Sequence, residues 1–116
     1  MEQNNNPIKD DTQNIKINKA QHEEFLEICR RVGIRESRAI VKFIKNSIEN
    51  DGFDLDLSNY VRISKDKTDT RMSYRIDKES KVKFKKLCQD NGISVSGAIK
   101  IFMDDVIQSK SMDKYF

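Results

Sequence analysis

The sequence holds one histidine and two cysteines. It has no glycine-rich phosphate loop, no metal-ligand spacing and no nucleophile elbow. A metal centre needs more ligands than two thiols and one imidazole supply. The chain is therefore expected to be no enzyme and to use no cofactor. No apolar run approaches membrane-spanning length. The start, MEQNNNPIKDD, lacks the basic flank and apolar stretch of a secretory signal, so the cytoplasm is the expected compartment. With 116 residues, 35% charged, 36% hydrophobic and a mean hydropathy of −0.76, the chain suits one domain with a modest core.

What the sequence does hold is a repeat. Shifted by 59 residues, Asn14–Asn50 aligns with Ser73–Ser109 without a gap, and eleven of the 37 pairs are identical. Chance gives about two on average amino-acid usage. The identities include Phe25/Phe84, Cys29/Cys88, Gly33/Gly92, Ser37/Ser96, Ala39/Ala98 and Phe43/Phe102. They fall on apolar and turn positions, where a shared fold would place them. The two cysteines thus read as small buried hydrophobes on equivalent helix faces.

Charge follows the repeat. Residues 14–50 and 70–108 each carry eight Lys/Arg against five Asp/Glu, whereas residues 1–13 and 51–69 are each net negative by two. A modest basic excess confined to the repeats suits a nucleic-acid surface, although ordinary soluble domains often carry as much.

In chain order, residues 1–11 form a polar, Asn-rich arm expected to be flexible. Thr12–Ile17 alternates as a strand, with Gln13, Ile15 and Ile17 on one side. Asn18 stands at a helix N-cap, and the spacing predicts a helix over Lys19–Val32 with Phe25, Ile28, Cys29 and Val32 inward. His22, early on that helix, reads as a solvated surface residue. Gly33 should end the helix in the left-handed conformation. A second helix is expected from Glu36 to Asn50, with Ala39, Ile40, Phe43, Ser47 and Ile48 inward and Val41 and Ile44 widening the face, stopped by Asp51-Gly52.

Residues 51–69 form a linker. Its Phe53, Leu55, Leu57, Tyr60, Val61 and Ile63 are more apolar than a free linker needs, and its end, SKDKTD, reads as flexible. The pattern then recurs. Thr70–Ile76 is a strand, Asp77 caps a helix over Lys78–Asn91, Gly92 stops it, and Ser94 caps a last helix reaching Gln108. Val82 lies near the third helix's buried stripe, and residues 109–116 form a polar tail.

Strand, helix, Gly-x-Ser-x-Ser turn, helix: residues 70–108 resemble the ribbon-helix-helix family of DNA-binding proteins, with Gly92, Ser94, Ser96 and Ala98 at the turn and second-helix start. Residues 12–50 match with one departure, Arg35 in place of the capping Ser94. Chains with two such units are unusual. This one is similar to the relaxosome accessory proteins of F-type conjugative plasmids, which carry two. The resemblance implies a mainly α fold with a short two-stranded antiparallel β-ribbon, folded as an intramolecular pseudo-dimer. Its divisions would be a flexible arm (1–11), unit 1 (12–50), linker (51–69), unit 2 (70–108) and tail (109–116).

In that family the ribbon enters the major groove, where each base pair shows a distinct donor and acceptor pattern. By alternation the base-reading face would be Thr12, Asn14 and Lys16 with Arg71, Ser73 and Arg75. The bland alternative is that these are solvated strand residues. Phosphate would be held at the second-helix starts: by the backbone of Val95 and Ser96 with the Ser94 and Ser96 hydroxyls, and by the amides of Glu36 and Ser37. Arg35 and Arg38 would reinforce the latter, while Glu36 adds an unhelpful negative charge. Ser94 and Ser96 could equally be plain helix caps.

The implied partners are double-stranded DNA, further copies of the chain on DNA, and a relaxase or other DNA-processing protein, with no membrane. The roles left open are transcriptional repressor, plasmid or mobile-element DNA processing, and partition. An antitoxin or other protein-binding regulator is the alternative. Family antitoxins add a toxin-wrapping segment, and the eight residues expected after the last helix are few for that. Because the two strands differ, one molecule is expected to read a non-palindromic site, with the Arg-bearing strand over its more guanine-rich half.

Overall fold

The computed structural model describes residues 10–59 and 67–115. The element order is β1 (Asp10–Ile17), α1 (Lys19–Val32), α2 (Glu36–Glu49), a 3₁₀ turn (Leu57–Asn59), β2 (Thr70–Asp77), α3 (Lys78–Asp90) and α4 (Val95–Ser109). A strand–helix–helix pattern thus occurs twice, and β1 and β2 pair antiparallel as a two-stranded sheet. The fold is mostly helical, as the periodicity predicts. The expectations for residues 1–9, for Tyr60, Val61, Ile63 and residues 64–66, and for Phe116 lie outside the described residues.

Three of the four described helices start where a short polar side chain accepts an orphan N–H. Asn18 Oδ1 accepts from Gln21 N (3.0 Å), Asp77 Oδ2 from Ser80 N (3.0 Å) and Ser94 Oγ from Gly97 N (3.0 Å). Only α2 lacks such a bond, because Arg35 stands at its N-cap. Gly33 (φ +84°) and Gly92 (φ +71°) turn the chain between helices, a conformation in which any Cβ is strained.

The core lies beneath the ribbon. Four buried phenylalanines, one per helix, meet there. Phe43 and Phe102 stack at 4.4 Å with planes 9° apart. Phe25 meets Phe102 edge-on at 5.7 Å, and Phe84 meets Phe43 edge-on at 6.0 Å. These two contacts correspond under the 59-residue repeat, and so do the α1–α4 and α3–α2 packings to which they belong. Burying such rings contributes on the order of 2 kcal/mol each. Ile15, Ile17, Met72, Tyr74 and Ile76 close the core from the ribbon's inner face.

Several expectations fail here. Val32 is 49% exposed and Val82 66% exposed. Val32 keeps the helical spacing of Phe25, Ile28 and Cys29 but falls at the edge of their stripe, whereas Val82, two residues before Phe84 and five before Leu87, lies on the opposite face of α3. Residues 109–116 are not a merely polar tail: Met112 and Tyr115 are buried. The Tyr115 ring lies edge-on to Phe43 (5.9 Å) and Phe102 (4.8 Å), its hydroxyl donates to Asp105, and its carbonyl accepts from Asn46. Phe53 likewise packs on Phe43 (6.1 Å) and Phe84 (5.8 Å), so the first part of the linker belongs to the core. At the end of α2, Asp51 itself takes the left-handed conformation (φ +52°).

Cys29 and Cys88 are free and buried. Burial pushes their thiols up to about 11 and about 12. No helix among the described residues is long and apolar enough to cross a membrane, and no cluster of three or more metal-binding side chains occurs among them.

Candidate nucleic-acid interface

Strand alternation sends one row of ribbon side chains into the core and the other into solvent. Thr12, Asn14, Lys16, Arg71, Ser73 and Arg75 are all exposed. The register brings them together in cross-strand pairs: Thr12 opposite Arg75, Asn14 opposite Ser73, Lys16 opposite Arg71. At the centre Ser73 Oγ donates to Asn14 Oδ1 at 2.6 Å. That bond takes one of the two lone pairs of the amide oxygen and leaves the other, with the Asn14 N–H donors, for a further partner.

The charges are unequal along this face. Lys16 and Arg71 stand side by side at one end, a like-charge pair that favours a polyanion between or above them. Arg75 stands opposite neutral Thr12 at the other, followed by the Asp10–Asp77 pair. Antiparallel pairing therefore puts both strands at each end. The expected contrast between an Arg-bearing and an Asn-bearing strand becomes a contrast between two ends of one ribbon.

Two grooves flank the ribbon. One is lined by Thr12, Ser73 and Arg75 together with Arg35, Ser37, Arg38 and Lys42 from the start of α2, over an apolar floor of Val32, Ile34 and Val41. The other runs between Asn14 and the start of α4, where Ser94, Val95 and Ser96 line it with Lys85. Ribbon side chains and helix N-termini thus share a wall on both sides.

The helix starts differ in kind. Ser94 is a true cap, and its Oγ also lies 3.4 Å from Ser96 Oγ. The first N–H groups of α4, including those of Val95 and Ser96, have no partner within the helix. At α2 the amides of Glu36 and Ser37 occupy the same position. Burial leaves His22 far from solvated: its side chain is 16% exposed and its Nε2 lies 2.5 Å from Glu36 Oε2. The contact ties α1 to α2 and engages the carboxylate that sequence reasoning set against an anion.

Lys42 and Lys85 were not singled out from the sequence. Lys42 had a signal: Arg35, Arg38, Lys42 and Lys45 recur at spacings of three and four, which puts them on one helix face. Lys85 had none beyond its place in a basic helix.

Among known proteins, the model of the RelB antitoxin family matches residues 69–113. That stretch takes in β2, α3, α4 and the tail through Asp113, and the family is of ribbon-helix-helix type. The chain is similar to it over those residues; residues 10–59, which repeat the pattern, lie outside the match. No curated protein and no solved structure matches the chain.

Proposed function

We propose that the chain is a sequence-specific DNA-binding regulator. Its two strand–helix–helix units act as one intramolecular pseudo-dimer of the ribbon-helix-helix type, joined by residues 51–69, that sets its ribbon in the major groove of duplex DNA. The observation that carries this is the ribbon's outer face. Six residues able to donate to or accept from base edges stand in three cross-strand pairs over an underside that buries Ile15, Ile17, Met72, Tyr74 and Ile76. A two-stranded ribbon fits the major groove. Arg and Lys suit guanine O6 and N7, and Asn suits adenine N6 and N7.

The helix starts flanking the ribbon supply phosphate contacts that fix register without reading sequence. The amides of Val95 and Ser96 and the Ser94 and Ser96 hydroxyls serve one side. The amides of Glu36 and Ser37, with Arg38, serve the other. Such a protein would repress transcription or assist DNA processing on a plasmid or mobile element, with a relaxase as one candidate partner. The genomic neighbourhood separates these roles.

A second reading has its own support. The similarity of residues 69–113 to RelB antitoxin favours a regulator that also binds a protein, as an antitoxin does. Both readings share the DNA-binding ribbon, and co-purification of a toxic partner from the native host would favour the second. Selection of bound duplex from a random pool tests the first. A short recurring site is expected; uniform retention of all sequences would contradict sequence-specific reading.

A further inference from the structure

The two flanking grooves are unequal, and the inequality continues beyond them. On the unit 1 side Arg35, Arg38 and Lys42 face the same groove as Arg75. From there Arg38 and Lys42 pass into a second groove that ends at Lys45, Asn46 and Tyr115. From the N-cap Arg35 to Lys45 on α2 the four cations span eleven residues, roughly 15 Å along the helix. The positions 59 residues on are Ser94, Gly97, Ile101 and Asp104. Unit 2 thus has no cation and one carboxylate where unit 1 has four cations. Gly97 and Ile101 are also buried, whereas Arg38, Lys42 and Lys45 are exposed.

We infer that the exposed face of α2 is a backbone track for duplex lying outside the ribbon's own site, on the unit 1 side only. This rests on the duplex-binding reading above. The phosphate chain that meets Arg35 and Ser37 at the groove would continue past Lys42 to Lys45, drawing the flanking DNA toward α2. Lys45 Nζ lies 3.4 Å from Asp77 Oδ1, with the Lys45 side chain exposed and that of Asp77 partly so. An exposed pair of this kind is worth little and can be exchanged for phosphate. Among the described residues the α4-side groove has Lys85 but no row of cations along α4, so the footprint should be longer on one side of the ribbon than on the other. The cations' continuity with the ribbon groove favours DNA over an acidic protein segment as the occupant.

The test uses the full chain and a selected site in three duplexes: minimal, extended by one helical turn on the left, and extended on the right. Affinity should rise with one extension only. Lys42→Ala/Lys45→Ala should abolish that gain and lower the log–log salt slope on the extended duplex by about two. Lys45→Ala alone, outside the ribbon groove, should reduce the gain while leaving affinity and site preference on the minimal duplex as in the wild type. Lys83→Ala/Lys86→Ala on α3 should leave the gain intact. Equal gains from both extensions, or a gain that survives the double substitution, would overturn the track while leaving ribbon binding standing. A polyglutamate peptide that bound through Lys42 and Lys45 while neither extension mattered would overturn it in favour of an acidic protein partner. Failure to bind even the minimal duplex would instead remove the DNA-binding reading and the track with it.

Discussion

Ser73 Oγ and Asn14 Oδ1 are joined by a 2.6 Å hydrogen bond across the middle of the ribbon, and the two residues occupy the same position of the two repeats. In two identical strands such a central pair would consist of one residue type facing itself. Here an amide faces a hydroxyl, and only one can be the donor to the other. The asymmetry of the sequence is thus written into the centre of the proposed reading face as well as into its ends.

That bond sets the first expected outcome. Asn14→Ala should cost about 1–3 kcal/mol on a preferred site and relax one adenine-containing position. Arg75→Ala should cost a similar amount at a guanine. Ser96→Ala, which touches only the phosphate side, should weaken all sequences evenly. Competition titrations against specific and random duplexes check this. Equal losses on both from Arg75→Ala would show that Arg75 reads no base.

Arg35 separates stability from binding. It leaves the start of α2 without the side-chain cap that the other three helices have. Arg35→Ser should raise stability by about 1 kcal/mol and weaken duplex binding through loss of a groove cation. Urea melts and binding titrations should therefore move in opposite directions. A variant that gains stability and keeps full affinity would show that Arg35 contributes no phosphate contact.

Phe43 is the junction of the core, touching Phe53, Phe84, Phe102 and Tyr115. Phe43→Ala should cost about 3–5 kcal/mol, much of the stability of a domain this size. Phe53→Ala, at a partly buried linker position, should cost less. Chemical denaturation orders the two, and the reverse order would mean that the stacked pair is not the centre of the fold.

Asp77 ties stability to pH. Its carboxyl is held below the ordinary aspartate range chiefly by the hydrogen bond from the Ser80 backbone, with Lys45 assisting. A depressed folded-state value contributes stability that is complete above the unfolded value, near ~3.9, and is lost as pH falls through the folded one. Melting temperatures should therefore fall between about pH 5 and pH 2, and less so in Asp77→Asn, which keeps a capping oxygen without the titration. An identical pH profile for the two proteins would remove Asp77 from the account.

Much of this fold is legible in the sequence because its signals are local. Asn18, Asp77 and Ser94 each satisfy N–H groups three residues on, and Gly33 and Gly92 supply a left-handed turn, so helix starts and stops follow from residue chemistry. Ribbon faces follow from alternation. What could not be read depends on long-range packing. Tyr115 is buried against Phe43 of α2 as well as Phe102 of α4, and nothing in SKSMDKYF signals this or the burial of Met112. His22 looked solvated because its partner, Glu36, lies across a helix turn that composition does not measure. Val32 fits the helical period, yet period alone does not give the width of a buried stripe, and Val82 is near its stripe in sequence but off the stripe's period. The register, with Lys16 opposite Arg71, depends on how the units dock and moved the asymmetry from strands to ends.

The orientation of one chain on one site tests the central claim most directly. Thr68 is exposed and lies just before β2, at the Lys16–Arg71 end of the ribbon. A DNA-cleaving reagent tethered to Thr68→Cys should leave the buried Cys29 and Cys88 unmodified, since burial holds their thiols at about 11 and about 12. On a selected site, cuts should fall on one side only, beside the half richer in guanine, with one chain of 13.6 kDa per duplex. Equal cutting on both sides, or a perfect palindrome emerging from selection, would contradict reading by a single asymmetric chain.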